Sequence, residues 1–348
     1  MNEQNTTPKQ LGYRFPAEWE SHRATWLSFP KNTETWESRL EKVYPSYFKF
    51  IEKIAESEKV CINAHNGELI SLIRQKLNEL EIKEDNIKLH AHATNDSWCR
   101  DHGPAFLKHP DTNRKVIVDW EYNAWGGKYP PFNSDNAIPV KIGELLDLPV
   151  FKPGIVMEGG SIEVNGQGAL LTSESCLLNK NRNPHLSKSK IEKYLIDYYC
   201  VEQIMWLKDG IVGDDTDGHI DDTTRFVSAD TVLTCIEHNS KDANYEPLKA
   251  NYNLLTKLKF LNNKPINIIE LPMPDAVYSE GERLPASYAN FYITNKYVIV
   301  PTYRCSKDDI ALSIISDAFK SREVIGIDST EIIWGLGSFH CLSQQEPE

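Results

Sequence analysis

The most constraining feature of the sequence is a series of turn-rich, polar segments that recur about every 60 residues. They are TNDSWCRDHGP (94–104), MEGGSIEV (157–164), DGHIDD (217–222), LPASYANFY (284–292) and GLGSFHC (335–341). Their marker residues are Asp96, Glu158, His219, Tyr288 and Cys341. This spacing suggests a unit of about 60 residues, repeated around an axis so that each unit presents one loop to a common centre. Chance spacing of functional loops is the alternative.

Helical and strand patterns alternate between these segments. Apolar residues recur at helical spacing in 41–57, 67–80, 188–199, 245–259 and 307–320. Short β-type runs occupy 60–65, 115–120, 161–164, 169–172, 224–238, 266–271, 291–301 and 329–335. The alternation predicts an α/β protein. Because no linker or low-complexity block divides the chain, we expect a single domain over 1–348, with a flexible N-terminus over 1–10.

Composition narrows the class of partner. Lys plus Arg number 38 and Asp plus Glu number 50, a net charge of −12. Nucleic acid is disfavoured because phosphate binding needs clustered basic residues, whereas a small cationic substrate is favoured by electrostatic steering. No apolar run approaches the roughly 18 residues of a membrane span, so no membrane partner is expected. Whether the chain forms a homo-oligomer stays open.

The cysteines and the N-terminus predict a cytoplasmic protein. The first ten residues are polar and lack the profile of a secretory signal. Seven cysteines are scattered without a CxxC pair, which argues for reduced thiols rather than a disulfide framework. A catalytic thiol among them must be identified by its neighbours.

Cys341 is the strongest candidate for a nucleophile. It ends the glycine-rich run 335–341, in which glycine permits close approach of a substrate, although a buried inert thiol is the alternative. Its neighbour His340 points to the opposite face if the chain is extended. His219 and Asp221 instead share a face of an extended segment and supply a titratable base and a carboxylate. A hydrogen-bonded turn or a metal-ligand fragment are other interpretations of this motif, but no second ligand pair is present and no metal is predicted.

Two further segments offer carboxylates. Asp96 beside Trp98 can receive a planar cation, and Glu158 stands beside two glycines. Arg100 and Asp101 are interpreted as a structural ion pair. Three carboxylates around a thiol raise the pKa of the thiol unless a cation enters the site. A guanidinium is such a cation, since it stays charged and takes bidentate carboxylate contacts.

These motifs resemble the agmatine deiminase branch of the guanidine-modifying (pentein) superfamily. The matching blocks are 18–30, 95–104, 119–132, 158–168, 176–184, 218–222, 286–292 and 340–347. The resemblance implies a five-unit, pseudo-symmetric α/β propeller, the pentein fold, with a central active site. It also implies deimination of agmatine to N-carbamoylputrescine and ammonia, without a cofactor.

The resemblance assigns roles by matching motif. Cys341 resembles the attacking thiolate and His219 the general acid/base of a reaction that passes through a covalent thiouronium intermediate. Asp96 and Asp221 resemble the pair that grips the guanidinium, and Glu158 resembles a further substrate contact. Trp98 and Trp125 are expected either to line the substrate pocket or to fill the core.

Two departures from the family pattern concern the nucleophile loop: Leu336 interrupts three glycines, and Ser343 stands where threonine is frequent. Both put substrate preference in question more than catalysis. Related peptidylarginine deiminases place arginines after a Tyr-Asn pair, whereas Ala124, Trp125 and two glycines follow here, which favours an amine-tailed substrate. Arg182, Arg225 and Arg283 remain able to bind a carboxylate. The alternatives are a deiminase or amidinotransferase for free, peptidyl or methylated arginine, and a non-catalytic binding protein.

Overall fold

Short strands alternate with helices in the computed structural model, which describes residues 6–348. The strands are β1 (His22–Ser28), β2 (Lys59–Asn63), β3 (Ile87–His90), β4 (Ala105–Lys108), β5 (Lys115–Val118), β6 (Val150–Phe151), β7 (Ile162–Val164), β8 (Ala169–Ser173), β9 (Gln203–Leu207), β10 (Thr224–Ser228), β11 (Thr231–Ile236), β12 (Asn267–Pro272), β13 (Tyr278–Ser279), β14 (Glu282–Arg283), β15 (Tyr292–Ile293), β16 (Tyr297–Thr302), β17 (Glu323–Asp328) and β18 (Ser343–Pro347). The helices are α1 (Thr33–Trp36), α2 (Leu40–Ala55), α3 (Gly67–Glu79), α4 (Cys99–His102), α5 (Ala124–Gly127), α6 (Asn133–Asn136), α7 (Ile138–Leu146), α8 (Glu174–Leu177), α9 (Lys188–Tyr198), α10 (Tyr245–Leu255) and α11 (Asp308–Ala318). The predicted mixed α/β class is confirmed.

Five sheets share one plan. Their strand orders are β4-β5-β6, β7-β8-β9, β10-β11-β12, β15-β16-β17 and β18-β1-β2-β3, and β13 and β14 form a separate hairpin. In each sheet the first strand runs antiparallel to the second, and the second runs parallel to the third. Every parallel pair is joined through a helix, because a parallel crossover needs a long connection. The chain therefore repeats one supersecondary unit.

The helix α2 shows how these connections are held. Its buried residues recur at helical spacing and are Val43, Tyr44, Tyr47, Phe48, Phe50, Ile51 and Ile54. They belong to a core cluster that also contains Phe339 and Cys341. The segment that carries the candidate nucleophile therefore rests on the same apolar core as the first helical crossover.

The five predicted helices are confirmed, with bounds that differ by a few residues. The predicted strand 224–238 is instead a hairpin of β10 and β11, because Ala229 and Asp230 turn the chain between them. The strand predicted at 329–335 is wrong: Ile332–Gly335 is a 3-10 helix, and the strand lies earlier, at Glu323–Asp328. Ile332 and Ile333 are buried, so the apolar run in this segment reflects burial rather than an extended backbone.

The first and last strands of the chain meet in one sheet, where β1 pairs with β18. The expected flexibility of 1–10 stays a prediction, since 1–5 lie outside the described residues. Within the described part, Lys9 Nζ donates a hydrogen bond to the carbonyl of Val201 at 2.7 Å. No helix in residues 6–348 has both the length and the apolarity needed to cross a membrane.

We predict that Phe50→Ala destabilises the protein by about 3–5 kcal/mol, because it leaves a cavity in a core without exposed surface. The Phe50 ring packs 4.8 Å from Phe339 and 5.9 Å from Tyr292, centroid to centroid. Urea unfolding measures the change. Ile310→Ala on α11 is the control, since Ile310 is 54% exposed and its loss should cost little; equal losses in the two variants would contradict the packing argument.

Candidate active site

Each of the five sheets contributes to one cluster from the segment that enters its first strand. The contributing residues are Asp101 on α4, before β4; Glu158, before β7; His219 and Asp221, before β10; Asn290, before β15; and Cys341, before β18. All of them are buried. The repeated unit therefore brings residues that are distant in sequence to one centre.

Cys341 is held by Asn290. The Asn290 Nδ2 donates to Cys341 Sγ at 2.9 Å, and its Oδ1 accepts from the backbone N–H groups of His340 and Cys341 at 3.1 and 3.3 Å. Asp221 Oδ2 lies 3.6 Å from the sulfur. Burial, followed by the charges of Asp221, Asp222 and Asp101, raises the pKa of the Cys341 thiol well above its usual value. At neutral pH the sulfur is therefore a thiol unless a positive charge approaches it.

His219 is buried, and among residues 6–348 neither of its ring nitrogens has a hydrogen-bond partner. Its Nδ1 is 3.8 Å from Asp101 Oδ1. Burial opposes a charged imidazole, but the charge of Asp101 and the contact with Cys176 outweigh it and raise the pKa of His219 well above normal. Burial in turn raises the pKa of Asp101 to about 6. The raised pKa favours a charged imidazole on His219 at neutral pH.

Asp101, rather than Asp96, is the carboxylate from the 94–104 segment that faces His219. Its two oxygens accept from Trp125 Nε1 and from the N–H of Gly160, both at 2.9 Å. The sequence predicted an ion pair between Arg100 and Asp101. Arg100 instead contacts Glu18 and Gln345. The one-turn helix α4, which begins directly after Trp98, determines that Asp101 is the acid that faces His219.

Asp96 occupies a different position. Its carboxylate accepts hydrogen bonds from Thr35 Oγ1 at 2.6 Å, Asn32 Nδ2 at 3.2 Å and its neighbour Ser97 N at 2.8 Å. Burial raises its pKa. It lines the same cavity as Cys341 and Asp101. Asp96 is therefore tied to the segment around α1, in the wall of the cavity.

Glu158 has a cationic partner. Arg182 Nε donates to Glu158 Oε1 at 2.7 Å, and the same guanidinium contacts Asp217 and the carbonyl of Thr216. Both members of the Arg182–Glu158 pair are fully buried. Cys176 Sγ lies 4.0 Å from the second Glu158 oxygen, which leaves that oxygen with only a weak partner.

Asp221 also contacts a network of buried ionisable side chains through His340. Its Oδ2 is 2.6 Å from His340 Nδ1, and His340 Nε2 is 2.8 Å from Glu18 Oε2. Its Oδ1 has no partner among the residues that the structure describes. Burial alone would raise the pKa of Asp221, but the hydrogen bond and charge of His340 lower it. Asp221 is therefore an ionised carboxylate whose Oδ2 lies beside Cys341.

A cavity of about 760 Å³ leads to Cys341. Trp98 and Trp125, predicted to touch substrate or fill the core, line it while being almost wholly buried. Leu336 lines it too and takes a left-handed conformation with φ 69°. Added Cβ atoms at Gly335 and Gly337 would meet Trp98 at 2.8 and 2.6 Å, so both glycines let the loop pack on the indole.

The cavity wall is strongly acidic. Its acidic residues are Glu34, Glu37, Asp96, Asp101, Asp135, Asp215, Glu280 and Glu282, and its lysines are Lys31 and Lys128. Lys128 is already bonded to Asp217 at 2.9 Å. The wall therefore favours a cationic ligand.

Two buried groups bring potential metal ligands within 4.8 Å of one another. They are Glu158 with Cys176 and His219, and Asp221 with Asp222 and Cys341. In each group a carboxylate oxygen already has a side-chain partner: Arg182 Nε lies 2.7 Å from Glu158 Oε1, and His340 Nδ1 lies 2.6 Å from Asp221 Oδ2. These side chains occupy oxygens that a metal would need.

Comparison with known proteins identifies the family to which this chain belongs. Residues 14–347 match the family of Porphyromonas-type peptidyl-arginine deiminases. A Legionella pneumophila (strain Paris) protein, provisionally named agmatine deiminase, is 38% identical over 99% of this chain and 98% of its own length. The chain therefore belongs to the Porphyromonas-type peptidyl-arginine deiminase family.

Solved structures agree with that assignment. The agmatine deiminase of Enterococcus faecalis superposes with a TM-score of 0.92 at 31% identity, over 99% of this chain and 98% of its own. A C. jejuni agmatine deiminase with a cysteine-to-serine change and bound substrate gives 0.87 at 34% identity, over 97% and 96%. The protein is thus a hydrolase of the agmatine deiminase type that acts on a guanidino group.

We predict that Gly160→Ala destabilises the protein by about 1–3 kcal/mol through overpacking. The added Cβ would lie 2.5 Å from His219 Nδ1 and 2.8 Å from Asp101 Oδ1, so neither buried side chain could keep its place. Gly67→Ala is the control, because a Cβ there meets nothing within 4 Å and Gly67 begins α3. Urea unfolding of both variants gives the comparison, and unchanged stability of Gly160→Ala would refute the close packing.

Proposed function

We propose that the protein hydrolyses agmatine to N-carbamoylputrescine and ammonia. The observation that carries the proposal is a buried thiol surrounded by carboxylates. Asp101 and Asp221 flank Cys341, Glu158 lies near His219, and burial followed by the charges of Asp221, Asp222 and Asp101 raises the pKa of Cys341. A guanidinium supplies the missing charge and remains protonated at any working pH. A neutral amide substrate would leave the carboxylates uncompensated.

The proposed reaction begins when the guanidinium binds between Asp101 and the free Oδ1 of Asp221. The substrate charge stabilises the thiolate, and the thiol proton leaves to solvent. The sulfur of Cys341 attacks the guanidinium carbon, and the C–N bond breaks as the His219 imidazolium protonates the departing ammonia. An S-alkylthiouronium remains on Cys341.

Hydrolysis of this intermediate uses the neutral His219 formed in the first half. It takes a proton from a water molecule, whose oxygen adds to the thiouronium carbon. The C–S bond then breaks as the C=O bond forms, the remaining hydroxyl proton leaves to solvent, and the ureido product departs with Cys341 again a thiolate and His219 again an imidazolium. The geometry supports one histidine in both roles because neither ring nitrogen has a hydrogen-bond partner in the described part of the chain, residues 6–348. The C. jejuni relative, in which a cysteine-to-serine variant holds substrate, also supports Cys341 as the nucleophile.

The tail of the substrate decides between agmatine and arginine. A substrate carboxylate would need a free cation, but Arg182, Arg225 and Arg283 are each paired, with Glu158, Glu18 and Asp242 respectively. The cavity wall is acidic instead. Asp215, whose carboxylate accepts from the Tyr129 hydroxyl at 2.5 Å, is suited to receive an ammonium. These contacts favour an amine tail.

The second candidate is deimination of arginine at the end of a peptide, which the family name suggests. The segment after Tyr122-Asn123 argues against it. Asn123 Oδ1 caps the N–H of Gly126 at 2.8 Å, and Trp125 donates to Asp101, so this turn supports the guanidinium site. The cation that follows it, Lys128, is already bonded to Asp217 at 2.9 Å.

The proposal extends to architecture and location. Five repeated sheets whose entry segments meet at one site support a five-unit propeller, the pentein fold, formed by 1–348 as one domain. All seven cysteines are free thiols, which suits a reducing cytoplasm and a thiol nucleophile.

Ammonia release across agmatine, arginine, a peptide with C-terminal arginine and methylated arginines tests the function. We expect agmatine to have the highest kcat/KM and Cys341→Ser to lose detectable turnover with unchanged folding. The peptide as the best substrate would establish the second candidate. Release of ammonia by Cys341→Ser at the wild-type rate would exclude the covalent route.

Two alkylating reagents distinguish Asp101 from Asp96 as the guanidinium receptor. Asp101→Asn should slow labelling of Cys341 by cationic 2-chloroacetamidine roughly ten-fold or more, because a charged hydrogen bond is lost. Labelling by neutral iodoacetamide should be unchanged or faster, because one carboxylate that raises the thiol pKa is gone.

Asp96→Asn is the matched control. Asp96 is bonded to Thr35 and Asn32, so we expect its loss to change neither labelling rate by more than about two-fold. Mass spectrometry of the Cys341 peptide at pH 7.5 follows both reagents. Opposite responses in Asp96→Asn, with none in Asp101→Asn, would return the role to Asp96.

A further inference from the structure

His340 is the one histidine in this region with carboxylates on both ring nitrogens. Nδ1 lies 2.6 Å from Asp221 Oδ2, and Nε2 lies 2.8 Å from Glu18 Oε2. An ionised carboxylate only accepts hydrogen bonds, so each contact requires a proton on the facing nitrogen. A neutral imidazole carries one such proton, and the pair of contacts is fully satisfied only by the imidazolium.

The surroundings keep both carboxylates ionised. Glu18 Oε2 also accepts from Arg225 Nη2 at 2.9 Å, and Arg100 Nη2 lies 3.5 Å away. These cations, with His340, lower the pKa of Glu18 against the opposing effect of burial. Glu163, the remaining acid of the network, binds Arg225 Nε at 3.0 Å. The charges thus alternate in space from Arg225 through Glu18 and His340 to Asp221.

In the proposed function, this series of alternating charges continues into the substrate. Asp221 Oδ2, which His340 contacts, also lies 3.6 Å from Cys341 Sγ, and the other oxygen, Oδ1, has no partner among residues 6–348. A substrate guanidinium at that oxygen would add the next positive charge in the series.

We propose that His340 is a protonated positioning residue, whose imidazolium joins Glu18 to Asp221 and holds Asp221 ionised with its free oxygen turned to the guanidinium. His340 does not touch the reacting atoms. It acts through Asp221, while its backbone N–H is fixed by Asn290. The inference rests on the proposed function for its catalytic consequence, but the protonation state of His340 is independent of substrate.

Nitrogen-15 NMR of histidine-labelled, full-length protein tests the protonation state. The signals of His340 are assigned by their loss in His340→Asn. Between pH 6 and 8.5 we expect both ring nitrogens to show imidazolium shifts. An unprotonated nitrogen at pH 7 would overturn the proposal, whether or not agmatine is the substrate.

Kinetics test the positioning role. His340→Asn retains one donor but no charge, so we expect KM for agmatine to rise roughly ten- to hundred-fold, as for a lost charge-assisted contact, with a smaller fall in kcat. The pKa of Asp221 should rise without its cationic neighbour. Because guanidinium binding needs ionised Asp221, the acidic limb of the kcat/KM profile should move to higher pH.

His102→Asn separates positioning from a loss of buried packing. His102 is equally buried, and burial lowers its pKa to about 3, so it is neutral and bonded to Ser28 Oγ at 2.9 Å. Its replacement should lower thermal stability without moving the acidic limb. If His340→Asn likewise lowers only stability, with an unmoved limb and unchanged KM, the positioning role is refuted. Absence of agmatine turnover in the wild type would instead refute the proposed function, with the NMR result unaffected.

Discussion

Glu18 is the buried carboxylate on which the centre of the molecule depends. It accepts hydrogen bonds from Arg225, His340 and the N–H of Ile293, and Arg100 lies at the edge of the same contact. These partners belong to four different sheets: Arg225 and Ile293 lie in the first strands β10 and β15, and Arg100 and His340 lie in the segments that enter β4 and β18. A lone buried charge is costly, and this one is stable only because several donors compensate its lost hydration. Glu18 therefore couples the relative positions of the sheets to the geometry of the site.

Around Cys341 the carboxylates are not fully compensated, and this part of the centre carries an excess of negative charge. Asp101 and Asp221 face a thiol whose pKa burial and their charges raise, and they face an imidazolium that offsets only part of their charge. The site is thus incomplete electrostatically until a cation binds. A cysteine held as a thiol is a poor nucleophile toward small electrophiles that lack charge. In the proposed reaction, substrate recognition and activation of the nucleophile are therefore one event.

Much of this arrangement could be predicted from the sequence, because it rests on local signals. Helical spacing located the five long helices, and the interval of about 60 residues anticipated five similar units. The strand Ser343–Pro347 had no such signal: SQQEP is polar, yet it is buried. Its polar groups are bonded to distant partners, as Gln345 is to Arg100 and Glu346 to Trp26 and Lys115. Those contacts exist only after the sheets have assembled.

The sequence pattern favoured Asp96 over Asp101 for the same reason, because the contacts that distinguish the two acids form only in the folded protein. Both acids stand in one polar segment, and only the turn at α4, tied to Cys341 through Arg100 N–H and the Cys341 carbonyl at 3.0 Å, decides which faces His219. Tyr288 was likewise an imperfect marker, since its hydroxyl binds Asp308 and Asn290 instead reaches the thiol. Spacing of motifs located the loops to within a few residues, whereas the facing side chain depended on tertiary contacts.

Chemistry and tail selectivity are carried by different parts of the chain. The reacting groups come from segments that enter the sheets, where backbone contacts between segments leave little freedom to vary. The outer wall of the cavity comes from α1, the turn around Tyr129 and the hairpin β13–β14, which lie outside the five repeated sheets. Changes there alter charge and shape around a substrate tail without moving Cys341 or His219. In the proposed function, this division would let one guanidinium site accept substrates with different tails, and it would place the selectivity for an amine in the acidic wall rather than at the thiol.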